Sequence, residues 1–161
     1  MKNYKLIWSI VLLLLLTACN PFTKSRMDLF QSTPTTDLSE EHVHSISIES
    51  TELEMKKVFG EPEEVIIVDE PEAKHFVYEG IEFGVREGEV FIYFIHHFYE
   101  TEKGITIGHT KKDVIRAYGK DYYEKSYEEL DFIGYFDKVN GLNIEFAFSE
   151  NKVFIICFEK M

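Results

Sequence analysis

The sequence predicts an α+β protein of two tandem repeats, each a short capped helix packed on antiparallel β-strands. Three observations predict it. Ile46–Gly60 and Ile105–Gly119 line up at a constant offset of 59, matching Ile46 with Ile105, Ile48 with Ile107, Thr51 with Thr110 and Gly60 with Gly119. Ile81–Ile92 and Ile144–Ile155 line up at an offset of 63, so the second copy carries four extra residues in between. Around these blocks, short β-rich runs alternate with Pro, Gly and acidic turns. Self-similarity at a spacing near sixty residues points to two copies of one supersecondary unit, over residues 46–98 and 99–161.

Each predicted helix has a start and a stop. Thr51 with Glu54 three residues on makes a capping box, Met55, Val58 and Phe59 share one face, and Gly60 supplies a left-handed stop. The second helix repeats the pattern with Thr110 and Asp113, then Val114, Ala117 and Tyr118, then Gly119. Two turns are too few for a helix to stand alone, so both must pack on sheet. The expected strands are Val65–Val68, Lys74–Tyr78, Ile81–Arg86 and Glu89–Ile95, then Tyr122–Tyr127, Asp131–Phe136, Leu142–Ser149 and Lys152–Phe158.

The last two strands of each unit can be placed in register. With Glu87-Gly88 as a two-residue turn, Val85 pairs with Val90, Phe83 with Ile92 and Ile81 with Phe94, all on one face. Glu150-Asn151 puts Phe148, Val153, Phe146, Ile155, Ile144 and Cys157 on the equivalent face. The opposite face then carries Glu82, Gly84, Phe91, Tyr93 and Ile95, with Glu145, Ala147, Phe154, Ile156 and Phe158. A one-sided α+β sheet normally turns polar residues outward, so this aromatic face is either buried within the fold or exposed as a partner site. On the second reading the partner-binding residues are Phe91, Tyr93, Ile95, Phe154, Ile156 and Phe158. Tyr122, Tyr123 and Tyr127, in the Tyr- and acid-rich stretch Lys120–Asp131, join them as interface residues or belong to a solvated edge strand.

The N-terminus carries a different signal. Lys2 and Lys5 precede an apolar run, Leu6 to Leu16, too short to span a bilayer, and then comes Leu16-Thr17-Ala18-Cys19. This motif resembles the lipobox of bacterial lipoproteins. The resemblance implies cleavage between Ala18 and Cys19, a diacylglyceryl group on the Cys19 thiol, and usually a further acyl chain on the new amine. Residues 1–18 are then a signal peptide, and the protein is lipid-anchored to the cell membrane on its extracytoplasmic side. Residues 20–45, rich in Ser, Thr, Pro and charge, read as a flexible tether with a reach of roughly 25–30 Å.

Composition narrows the partners. The chain is 45% hydrophobic and 15% aromatic, as a folded protein is. Beyond residue 18, 15 Lys and Arg stand against 29 Asp and Glu, a net of −14 that offers no basic footprint for nucleic acid or anionic lipid. Cys157, in the apolar run Val153–Phe158, reads as a buried inert thiol. His42 with His44, and His96 and His97 with His109, lack a carboxylate or Cys partner at ligand spacing, so no metal is assigned. No catalytic motif and no cofactor-binding loop is present in the sequence.

Gly108-His-Thr-Lys-Lys-Asp-Val114 followed by Gly119 resembles the repeat of small outer-membrane-assembly lipoproteins (SmpA/OmlA type) and the tandem units of the secreted β-lactamase inhibitor proteins. Gly60-Glu61-Pro62 fits the Gly-x-Pro ending of that pattern, whereas Gly119 lacks the Pro. The resemblance covers about residues 46–158. It implies a helical layer on an antiparallel sheet and a non-catalytic role in binding another envelope or secreted protein. The alternative expectation is a small-ligand or cation-binding envelope lipoprotein, with an enzyme third.

Overall fold

In the computed structural model, residues 24–127 and 130–161 are described. The signal peptide, the Ala18–Cys19 cleavage site and the lipidated Cys19 therefore lie outside the described residues. Three helices are present among those described: α1 Arg26–Ser32, α2 Glu52–Phe59 and α3 Lys111–Tyr118. Eight strands accompany them: β1 Glu64–Val68, β2 Ala73–Tyr78, β3 Ile81–Arg86, β4 Glu89–Ile95, β5 Tyr123–Tyr127, β6 Leu130–Asp137, β7 Leu142–Ser149 and β8 Lys152–Lys160.

The local signals act as their chemistry requires. The Thr51 hydroxyl accepts from the Glu54 amide, and the Glu54 carboxylate accepts from the Thr51 amide at 2.8 Å. Thr110 and Asp113 close the same box on α3. Gly60 and Gly119 end the helices at positive φ, 79° and 97°, where a side chain would be strained. Each of these glycine carbonyls accepts a tyrosine hydroxyl from the sheet, Tyr78 at 3.2 Å and Tyr135 at 3.0 Å. The segment entering each helix is tied to the hairpin below it. Glu49 and Ser50 exchange main-chain hydrogen bonds with Val90, and Gly108 and His109 do so with Val153.

All eight strands form one antiparallel sheet in the order β1-β2-β3-β4-β8-β7-β6-β5. β1 to β4 form one meander and β5 to β8 another, and they join where β4 pairs with β8. One hydrophobic core lies under α2 and α3, with Met55 and Val114 packed with Phe83, Tyr93, Phe146 and Phe158. Phe59 of α2 packs on Phe83 at 4.9 Å, and Tyr118 of α3 packs on Phe146 at 5.1 Å. Val58, expected on the core face of α2, is exposed instead, because only Met55 and Phe59 reach the sheet from this two-turn helix.

The expected hairpin register holds only next to each turn. Val85 pairs with Val90, but Gly84 then pairs with Ile92, Phe83 with Tyr93 and Ile81 with Ile95, leaving Phe91 as an extra residue in a β-bulge. β7 and β8 carry the same slip. Phe148 pairs with Val153, Ala147 with Ile155, Phe146 with Ile156 and Ile144 with Phe158, leaving Phe154 as the extra residue. A one-residue slip moves every later side chain to the other face. Tyr93, Ile95, Ile156 and Phe158, placed by the unbulged register on a possible partner face, are therefore fully buried beneath the helices. Ile92, Phe94, Ile155 and Cys157 take the opposite face in their place.

The expected tether is also corrected. Within residues 24–45, α1 packs on the sheet through Leu29 and Phe30, Thr35 bridges Phe136, and Leu38 and Val43 enter the main core. The Leu38 amide donates to Asp137 at 3.0 Å, a contact 99 residues apart in the chain. These apolar residues are too sparse to show a period, but each has a seat on the finished sheet.

The bulges predict a sharp contrast between neighbours in β8. Phe158→Ala should lower unfolding free energy by about 3–5 kcal/mol in urea titrations, as expected for emptying a buried aromatic site. Phe154→Ala, two turns of the pleat earlier, should cost a fraction of that.

Candidate binding surface

The face of the sheet away from α2 and α3 holds the residues with the most unused chemistry. α1 covers part of it. Leu29 is buried against Tyr123 and Phe136, Phe30 meets Phe136 edge-on at 5.3 Å, and Tyr123 stacks on Phe136 at 4.5 Å. Ser25 caps α1 with Asp28, as Thr51 and Thr110 cap the other helices. Gly134 makes room for this packing, since a Cβ there would fall 2.3 Å from the Tyr123 ring.

Away from α1 no other helix covers this face among the described residues. Val77, Phe91, Ile92, Phe94 and Ile155 are half-buried on strands whose other faces are buried. Phe91 and Ile92 both lie against Gly84, whose lack of a side chain accommodates the bulge, and Arg86 covers Phe91 at 4.2 Å. An aliphatic and aromatic strip thus runs across the middle strands, half in water.

An open groove of about 1250 Å³ is lined by α1, by β5 and by residues of β6 to β8 on this face. Its floor is a continuous polar network. Arg26 pairs with Glu159 at 2.5 Å, and Asn143 donates to Glu159 at 3.2 Å. The Tyr123 hydroxyl shares its one proton between Asn143 Oδ1 at 2.8 Å and Glu145, which holds Lys125 at 2.8 Å. Burial pushes the Tyr123 hydroxyl up, reinforced by the Glu145 charge, so it stays a donor. Burial raises the Cys157 thiol as well, with Glu159 and Glu145 adding to the effect. A thiol held neutral in this way is a poor nucleophile.

The sequence-predicted residues are thus divided by the fold. Phe91 and Phe154 are half-buried, while Tyr93, Ile95, Ile156 and Phe158 are core. Of the tyrosines, Tyr122 packs against Tyr135, Tyr123 is buried in the groove network, and Tyr127 is exposed. Glu82 and Glu145 both face the open side, but Glu82 lies by His96 at 3.1 Å and Glu145 by Tyr123 and Lys125. Ile92, Phe94 and Ile155 were missed because the unbulged register hides them. Gly84 and Ala147, small residues opposite the bulges, are the signal that would have found them.

The histidines have separate partners. His42 contacts the Glu40 carbonyl at 2.8 Å and Glu102 at 3.2 Å. His44 stacks on Phe59, His96 stacks on Phe94, and His109 accepts from the Thr106 amide.

One acid lies on the other side of the sheet, inside the core. Glu41 is buried, accepting from the Tyr118 hydroxyl at 2.8 Å and from the Glu102 amide at 3.3 Å. Burial raises its pKa above the ordinary value of 4.5, against the lowering effect of those two donors. The contact ties the N-terminal segment to α3.

No family model matches the chain, and no curated protein does. Among solved structures, the chain is similar to a 1.5 Å crystal structure of an extracellular protein containing an SCP domain from Bacillus anthracis str. Ames. The identity is 12% and the TM-score 0.49, with 70% of this chain and 44% of that chain covered. The chain spans less than half the length of that protein, and a likeness this distant carries nothing about activity.

Glu41 makes a pH prediction. Its raised folded-state value means that the folded form favours the neutral acid, so its contribution is best below the unfolded value of 4.5 and is lost as pH rises through the folded one. Glu41→Gln removes that loss. Melting curves at pH 4 and pH 7 should show the variant gaining on the wild type at the higher pH. An unchanged difference would mean that Glu41 is not held in its raised state.

Proposed function

We propose that this chain is a membrane-anchored extracytoplasmic lipoprotein whose folded part is a non-catalytic module that binds another envelope or secreted protein. The observation that carries the binding reading is the half-exposed strip of Val77, Phe91, Ile92, Phe94 and Ile155 on the open sheet face. Apolar side chains left partly exposed on one sheet face are characteristic of a partner site. The lipobox Leu16-Thr17-Ala18-Cys19 supports the address.

The same proposal includes an internal duplication of one helix and four strands. It is supported by the two capping boxes, the two tyrosine-to-glycine contacts and the two bulges, which recur at matching places in the chain. A duplicated unit with one remodelled copy would account for a roof, α1, that sits over the second meander alone.

A second reading rests on the groove. Its volume, and a lining that sets Lys24, Arg26 and Lys125 beside Glu124, Glu145 and Glu159, suit a small polar ligand. A ligand bound there would raise the melting temperature in proportion to the logarithm of its concentration. Arg26→Ala would abolish that rise.

Two experiments test the first reading. Cys19→Ala should move the protein from the membrane fraction to the medium, or leave it as unprocessed precursor. Recovery of a lipid-modified mature form from that variant would refute the anchor. For the binding face, in-cell crosslinking should give one defined adduct with the wild type and lose it with Phe94→Ser/Ile155→Ser, while that variant still melts cooperatively. Retention of the adduct would move the partner elsewhere on the surface.

A further inference from the structure

The sheet has two free edges, and they are built in opposite ways. β5 carries Tyr123-Glu-Lys-Ser-Tyr127, with charged residues at its centre, as natural edge strands do to discourage pairing. β1 carries Glu64-Val-Ile-Ile-Val68. It pairs with β2 over five consecutive residues without a bulge, and among the described residues its outer row of amides and carbonyls has no neighbouring strand. Val65, Ile66 and Ile67 are 43%, 45% and 60% exposed. Glu64 is the one charge within the strand, and Val65–Val68 carries no charge, Pro or bulge.

We infer that β1 is a docking edge that adds a short extended segment of a partner protein as a ninth strand, and that this segment is apolar at its centre and basic at both ends. The apolar centre follows from the two faces of β1. Val65 and Ile67 lie on the side of α2, and Ile66 on the open side, by their pairing with Phe76, Lys74 and His75. Both faces of the incoming strand therefore meet apolar neighbours, which calls for a continuous apolar run rather than an alternating one. The basic ends follow from the flanks. Glu61, Glu63 and Glu64 precede the apolar run, Asp69, Glu70 and Glu72 follow it, and no Lys or Arg falls between residues 61 and 72. Pro62 and Pro71 bracket the strand and limit the added one to about the same length.

The flanks also argue against a second copy of this chain as the occupant. A two-fold antiparallel pairing centred on Ile66 sets Glu63 against Asp69 at both ends, and one centred between Ile66 and Ile67 sets Glu64 against Asp69. Like charges directly opposite across a strand pair destabilise it. A basic-flanked strand gains where a second copy loses. This edge is distinct from the open sheet face, and its occupation does not require that face to bind anything.

The test uses the full chain in mild detergent and a fluorescein-labelled synthetic peptide, Lys-Lys-Val-Ile-Val-Ile-Val-Lys-Lys. Fluorescence anisotropy should show saturable binding that weakens several-fold at high salt. Ile66→Thr/Ile67→Thr keeps β propensity and all charges, and should weaken binding at least tenfold while melting cooperatively. Two peptides N-methylated on alternate residues decide whether the contact is a strand pairing. One set of amides faces β1 and the other faces solvent, so one methylated peptide should bind and the other should not. Equal binding of both, equal binding by the Thr variant, or no binding of the parent peptide would overturn the inference. So would sedimentation showing a dimer of the wild type that the Thr variant lacks, since a second copy would then hold the edge.

Discussion

The pairing of β4 with β8 is the contact on which the other features depend. Each is the last strand of a four-stranded meander, and neither meander alone could bury both its apolar strand faces and its last edge. Joining them sets Tyr93 against Phe158 and Ile95 against Ile156 in the centre of the core. It also brings α2 and α3 to one side of one sheet, so two helices of eight residues each share a core that neither could support alone. The join leaves β1 and β5 as the free edges, and the difference between them becomes meaningful because both are the first strands of their meanders.

Much of this was legible in the sequence because its signals are local. Thr51 with Glu54, and Thr110 with Asp113, fix where α2 and α3 begin through hydrogen bonds spanning three residues. Gly60 and Gly119 fix where they end through backbone geometry alone. All eight strands fall within two residues of their expected bounds, since Pro, Gly and acidic turns separate them. The faces were harder. Val90 to Ile95 is apolar at every position, so the run contains no alternation to say which parity is inside. A bulge at Phe91 then reverses the parity without leaving a polar residue to reveal it.

The N-terminal segment was hidden for another reason. Leu29, Leu38 and Val43 are widely spaced among polar residues, and their partners Phe136, Asp137 and Ile46 lie on elements far away or on an irregular turn. Only a finished sheet supplies the seats they occupy. Glu41 is the extreme case. A carboxylate in a polar stretch reads as solvated, yet the Tyr118 hydroxyl offers it a donor deep in the core. The open sheet face was foreseen as unusual, but its members were not, since two of the six aromatic and aliphatic residues named for it stayed near the surface.

The packing of α1 on the sheet has a geometric consequence for any anchor at Cys19. Only five residues lie between Cys19 and the Ser25 cap of α1, so even a fully extended link of six steps spans no more than about 20 Å. On the lipoprotein reading, the module is held on a short leash close to the bilayer, with the α1 end of the sheet nearest the lipid. Six strand spacings separate β1 from β6 beneath α1, a span of about 30 Å. The unprotected edge would then stand at the far end of a platform pinned at its opposite corner, free to sweep an arc of membrane-proximal space.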